Sequence, residues 1–172
     1  MRLTRATASQ IAKATATHDA VNRRWFEYET DLATIIERPL MTDMREPLTR
    51  AFHEARIAAD DLRPDDPDEL LDIDRFTEYR DAVRAYSVAF SAAETEARRR
   101  KQSAFDPLER QRLERARKLV MIAVDEAATP AERRNAYRRA RDELDGLIAV
   151  PDVACAALER SVAGELEAGS ES

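Results

Sequence analysis

Glycine is scarce in this chain: its 172 residues include three glycines, and the first of them is Gly146. Loops that cradle phosphates and turns that bind dinucleotides need glycine where the backbone approaches the ligand or adopts a positive φ. The sequence therefore excludes such loops from the segment before Gly146. The G-x-S-x-G nucleophile elbow of α/β-hydrolases is absent as well.

Cysteine and long apolar runs are also lacking. Cys155 is the only cysteine, so no internal disulfide forms, and a reducing, cytoplasmic location is expected. No apolar run approaches the roughly 20 residues that a membrane-spanning helix needs. Residues 1–6 lack the apolar core of a signal peptide. These absences predict a cytoplasmic protein without a membrane segment.

The residues that are present are typical of a folded domain. Hydrophobic residues make up 44% of the chain and charged residues 36%, with a net charge of -6. This composition is too apolar for a disordered chain and is sufficient for a buried core. At this length we expect a single domain, over residues 1–168, followed by a disordered tail at residues 169–172.

Three short segments share one pattern for the beginning of a helix. Each begins with a capping side chain, at Asp66, Asp106 or Thr129. Proline is the next residue, and glutamate is the third residue after the cap. The cap oxygen accepts a hydrogen bond from a free backbone N–H, and proline fits the first helical position because its missing N–H is no loss there. The glutamate reaches back to the cap residue's N–H. These signals predict an all-α fold.

Apolar residues recur at alternating three- and four-residue spacing, which predicts an elongated antiparallel helical bundle with a heptad pattern. We expect about five long helices plus one short helix, with the long ones over residues 7–36, 43–62, 74–102, 107–127 and 130–148. A shorter last helix is expected over residues 152–166, and a short turn over residues 66–73.

Three of these helices carry a clear seam that is predicted to face inward. The seam of the first holds Ile11, Ala14, His18, Val21, Trp25, Tyr28, Leu32 and Ile35. The seam of the second holds Met44, Leu48, Ala51, Ala55, Ala58 and Leu62. The seam of the third holds Phe76, Tyr79, Val83, Tyr86, Phe90, Ala93 and Ala97.

Two further stretches, residues 119–124 and 153–158, are apolar on all sides rather than striped. Either both are buried within the monomer, or a partner chain covers what the monomer leaves exposed. The second interpretation predicts a homodimer, the commonest symmetric oligomer. Its interface would include Met121, Ile122, Val124, Val153 and Leu158.

The sequence offers no set of residues for catalysis, cofactor binding or metal binding. A ferritin-like site needs a glutamate three residues before each histidine. That position holds Thr15 before His18 and Arg50 before His53, so neither histidine has this partner. Cys155 lies in an apolar run, which favours a buried, inert thiol. We therefore expect a chain that is not an enzyme and has no cofactor.

Basic residues are concentrated in residues 98–118 and 133–141, interleaved with acids. Two basic helices could contact nucleic-acid phosphates through Arg115, Lys118, Arg134 and Arg138. The same pattern is typical of a solvated helix face with ion pairs between successive turns. The leading hypothesis is a helical interaction or scaffold protein that acts through helix faces and self-associates, and the alternative is a nucleic-acid-associated protein.

Residues 113–148 resemble a bacterial helical-hairpin domain of unknown function. The resemblance lies in a basic amphipathic start containing Arg117-Lys118-Leu119, the acidic connector 125–130 and an alanine-rich second helix. The chain as a whole resembles small uncharacterised all-helical proteins of high-GC actinobacteria. These resemblances imply a helical fold and bring no activity or residue role.

Overall fold

The computed structural model describes residues 4–168, with side chains described through Ala163. These residues form seven α-helices and no β-strand, which confirms the predicted all-α helical fold. In chain order the helices are α1 (Ala8–Thr30), α2 (Leu32–Glu37), α3 (Pro47–Leu62), α4 (Ile73–Arg100), α5 (Pro107–Val124), α6 (Pro130–Leu144) and α7 (Asp152–Ala168). Short 3-10 helices, Pro39–Thr42 and Pro67–Leu71, precede α3 and α4. The tail predicted at residues 169–172 lies outside the described residues.

The helix predicted over residues 7–36 is two helices, separated at Asp31. The Asp31 carboxylate accepts hydrogen bonds from the Ala33 N–H at 3.0 Å and from the Thr34 hydroxyl at 2.9 Å, so it caps α2. Aspartate favours a cap over a helix interior because its side chain competes for backbone N–H groups. The heptad pattern concealed this break, because its apolar positions continue through it.

The predicted caps are present at all three sites, and two of them are full capping boxes. Asp106 and Thr129 accept from the N–H three residues later, and Glu109 and Glu132 accept from the N–H groups of the cap residues. Asp66 also caps its 3-10 helix, through the Asp68 N–H at 3.0 Å. Sequence reasoning thus placed the beginnings of α5 and α6 correctly.

Replacing Thr129 with alanine is expected to lower the free energy of unfolding by about 1 kcal/mol, because the Glu132 N–H loses its acceptor. Urea denaturation followed by circular dichroism measures this. The matched control is Thr95→Ala on the exposed surface of α4, which is expected to stay within about 0.5 kcal/mol of the natural chain. Equal losses at the two threonines would contradict a capping role.

Contacts divide the chain into two compact units. The first is formed by Met1–Trp25 and Met44–Glu96, and the second by Phe26–Asp43 and Ala97–Ser172. In the first unit α3 runs antiparallel to α1. Helix α4 runs parallel to α1, since contacts pair His18 with Tyr79 and, further along both helices, Asn22 with Tyr86.

The predicted seams of the first and third helices are buried at every position. The predicted seam of the second helix is wrong: Leu48, Ala51, Ala58 and Leu62 are exposed. The buried face of α3 instead contains Thr49, Phe52 and Ala59. The reason is that a heptad gives the period of an apolar stripe and not the face that packs, and the single large ring of Phe52 decides which face turns inward.

The core of the second unit lies among α2, α5, α6 and α7. Helices α5 and α6 form an antiparallel hairpin, in which Arg112 donates to the Asp145 carbonyl at 3.0 Å and Arg133 donates to the Ala123 carbonyl at 2.9 Å. Helix α6 ends at Leu144 rather than at Ile148 as predicted, because Gly146 adopts a φ of 72°. Glycine adopts this left-handed conformation without a steric penalty and commonly ends helices.

Candidate protein-interaction surfaces

Helix α3 carries a stripe of exposed apolar side chains. Leu48 and Leu62 are 42% and 40% exposed, and the small exposed residues Ala51 and Ala58 lie between them on the same side of the helix. These four residues are called the α3 face below. Ile57 is also exposed, but it projects from a different side of α3, because it follows Leu48 by about two and a half helical turns. A surface helix normally presents polar side chains to water, so this face is unusual for a monomer.

Charged residues border the α3 face with opposite signs at its two ends. Arg50 lies in the first turns of α3, whereas Asp61 lies in its last turn, and both are exposed. Neither forms an ion pair with another described residue. The positions of Arg50 and Asp61 therefore bring opposite charges together when a second copy of the helix lies antiparallel to the first.

The second exposed apolar surface lies at the end of α5. Met121, Ile122 and Val124 are exposed there, as the dimer hypothesis requires. Val153 is exposed too, but it lies in the first turn of α7, next to Asp152, which lines one cavity together with Asp145 at the end of α6. Helices α5 and α6 are antiparallel, so the end of α5, which carries Met121, and the end of α6, near the start of α7, lie at opposite ends of the hairpin. Val153 and Met121 are therefore far apart along it.

Leu158 does not belong to this exposed surface. It is buried in the core of the second unit, together with Val162 of the same helix. The residues predicted as one interface are therefore separated, and one of them is internal. The physical reason is that α7 has a buried face within the chain, so its apolar run is a stripe and not a continuous apolar surface.

Two of the four basic residues predicted to contact nucleic acid, Arg115 and Lys118, are paired with acids. Arg115 forms a bidentate ion pair with Glu143, at 2.8 and 3.1 Å, and its guanidinium lowers the pKa of the Glu143 carboxyl. Lys118 lies 3.9 Å from Glu114. Arg138 donates to the Asn135 side chain at 2.9 Å, and Arg134 is exposed.

Arg133 corrects the sequence-based assignment of residues 133–141 to a basic surface. Its side chain is 1% exposed, and its Nε donates to the Ala123 carbonyl. The last carbonyls of a helix lack intrahelical partners, and a cation there also complements the helix dipole. Arg133 is therefore a structural cap for α5. Sequence reasoning missed it because a buried arginine and a surface arginine look alike in a charge pattern.

The histidines occupy packed environments. His18 is fully buried, with Nδ1 2.9 Å from the Tyr79 hydroxyl and Nε2 2.9 Å from the Asp60 carboxylate. Both ring nitrogens therefore have protein partners, which leaves none for a metal or substrate. His53 lies against the ring of Trp25, with centroids 4.8 Å apart. Among the residues described, no three of His, Cys, Asp and Glu are close enough to hold a metal ion.

Cys155 is half-buried and lines a cavity of about 470 Å³ in the second unit. Tyr137 and Arg141 line the same cavity. Burial, and then a 2.5 Å hydrogen bond to Glu159, raise the pKa of Tyr137, which keeps its hydroxyl protonated. Among the described residues, no hydrogen bond joins the Cys155 thiol to a carboxylate or an imidazole, which is the contact that a nucleophile–base pair needs.

Within residues 4–168, none of the helices combines the length and the apolar character that crossing a lipid bilayer requires. Comparison of the chain with protein-family models, with curated proteins and with solved structures gives no match. The fold and its surfaces thus define an all-α protein whose exposed features are helix faces.

Proposed function

We propose that this protein is a non-enzymatic helical interaction protein that self-associates through its helix faces. The observation that carries the proposal is the exposed α3 face. Apolar side chains at this spacing are the pattern by which one helix packs on another, and a second copy of the chain supplies an equivalent helix.

An antiparallel pairing of two α3 helices about Ala55 matches the residues of the face. In that register Leu48 lies opposite Leu62 of the partner, and Arg50 lies within one residue of the partner's Asp61. At a rise of about 1.5 Å per residue, the arginine and the aspartate are nearly level. A twofold axis repeats each pair, as an isologous interface requires.

Small residues near the centre favour this geometry. Ala51, Ala55 and Ala58 lie around the crossing point, so the two backbones can approach closely. The larger Leu48 and Leu62 then cover the ends. One helix face gives a small interface, so we expect a reversible dimer rather than an obligate one.

Sedimentation velocity across protein concentration tests the proposal. The natural chain is expected to dimerise at tens of micromolar. The substitution Ala58→Glu is expected to give a monomer with an unchanged circular dichroism spectrum, because it places an unpaired charge in the interface without touching the core. A natural chain that stays monomeric over that range would rule out self-association.

A charge exchange tests the register. Arg50→Asp is expected to weaken the dimer, and adding Asp61→Arg to the same chain is expected to restore it, because the ion pair reforms with reversed signs. The control is Met121→Glu at the other apolar surface. If that change dissociates the dimer while Ala58→Glu does not, the interface predicted from the sequence at the end of α5 is the correct one.

The nucleic-acid alternative stays a hypothesis, and it depends mainly on Arg134 and Arg138. Retention on duplex DNA at low salt tests it, and phosphate contacts would make that retention fall steeply with added salt. Glutamine at Arg115, Lys118, Arg134 and Arg138 would then weaken binding to all sequences alike.

A further inference from the structure

A groove of about 300 Å³ lies between α1 and α4 in the first unit. Its charged lining residues are Lys13 on α1 and Arg80 and Arg84 on α4. No aspartate or glutamate lines it among the described residues. The wall formed by α1 is free of acids along the whole segment 8–18. The groove is therefore a positively charged recess in a chain whose net charge is -6.

Two of the three cations are available to a ligand. Arg80 donates to Asp81 from two nitrogens, at 3.0 and 2.9 Å, so its charge is partly neutralised. Lys13 and Arg84 form no side-chain ion pair with any described residue, and both are exposed. They lie on opposite walls. Like charges facing each other across a recess create a positive potential that an anion relieves.

The floor of the groove is apolar. Ala14, Phe76 and Val83 form it, and Val88 at the rim is 66% exposed. Gln10 and Ser87 add one amide and one hydroxyl at the edge. Small-molecule sites combine these features, with an apolar lining and a few polar groups that fix the orientation of the ligand.

We propose that this groove binds a small anionic amphiphile, in which a carboxylate lies between Lys13 and Arg84 and an aliphatic chain lies along the groove against Val88. The floor side chains Phe76 and Val83 are almost fully buried, so the exposed side chain of Val88 supplies most of the apolar contact with the ligand. The volume is at the lower limit for small-molecule pockets, which fits a short acyl chain. This site is separate from the α3 face, and its test does not depend on dimerisation.

Isothermal titration calorimetry of the full chain with sodium decanoate tests the proposal. Saturable binding is expected, and it is expected to weaken as sodium chloride is added, because exposed charges are screened. Decanol and decyltrimethylammonium, which have the same chain and a neutral or positive head, are expected to bind more weakly. Binding of either as tightly as decanoate would overturn the proposal.

Substitutions then locate the site. The double variant Lys13→Gln and Arg84→Gln is expected to weaken decanoate binding about five- to tenfold, because two exposed charge contacts are lost. The matched control, Lys118→Gln with Arg134→Gln in the second unit, removes the same charge and is expected to bind as the natural chain does.

A third variant, Thr17→Trp, fills the groove from an exposed position of α1 and is expected to abolish binding while leaving the circular dichroism spectrum unchanged. Absence of saturable binding at millimolar decanoate by the natural chain would overturn the proposal. Equal binding by the groove variants and by the control would overturn it as well.

Discussion

Trp25→Ala is expected to lower the free energy of unfolding by about 3–5 kcal/mol, the usual cost of deleting a large buried aromatic side chain. Trp25 is 6% exposed, and its ring packs edge to face on Phe52 at 5.1 Å. Phe52 in turn packs on Phe90 of α4 at 5.3 Å. Removal of the indole thus leaves a cavity where α1 meets α3. The aromatic cluster of Trp25, Phe52 and Phe90 also loses one of its three rings.

The neighbouring residue provides the control for this experiment. Phe26 is 59% exposed, so Phe26→Ala is expected to change the free energy of unfolding by no more than about 0.5 kcal/mol. Denaturant titration followed by circular dichroism measures both variants without using tryptophan emission. A loss below about 1 kcal/mol for Trp25→Ala would mean that the seam of α1 is not tightly packed.

Arg133→Ala is the second large effect, with an expected loss of about 2–4 kcal/mol. Part of it is the cavity left by a fully buried side chain, and part is the Ala123 carbonyl losing its donor. Arg133→Met keeps most of the volume and is expected to cost less, about 1–2 kcal/mol, because the packing is largely retained while the hydrogen bond to the Ala123 carbonyl is lost.

Arg134 is the matched control for the cap assignment. It is the next residue of α6 and is exposed, so Arg134→Ala is expected to stay within about 0.5 kcal/mol of the natural chain. If the two alanine variants unfold at the same denaturant concentration, Arg133 does not cap α5.

The features that could be predicted from the sequence are those that local chemistry determines. The boxes at Asp106 and Thr129 depend on residues three positions apart. The seams of α1 and α4 carry aromatic rings at regular spacing, so their inward faces are unambiguous. In α3 alanine and leucine occur on the exposed side, and periodicity alone could not identify the packed face.

The remaining contacts join residues far apart in the chain. His18 meets Asp60 across 42 positions, and its partners could not be predicted from one sequence. The groove could not be predicted for the same reason, since Lys13 and Arg84 line one groove only because α1 and α4 pack in parallel. Sequence reasoning assigns Arg133 to a basic surface because of its charge, whereas in the structure its side chain is buried. A charge pattern does not distinguish the two cases.

The distribution of Trp25 and Cys155 has a practical consequence for folding studies. The chain has one tryptophan and one cysteine, and the first lies in one compact unit while the second lies in the other. Tryptophan emission and thiol labelling therefore report on the two units separately in an unmodified chain. Coincident transitions would indicate a single cooperative domain, and separate transitions would indicate two independently unfolding modules.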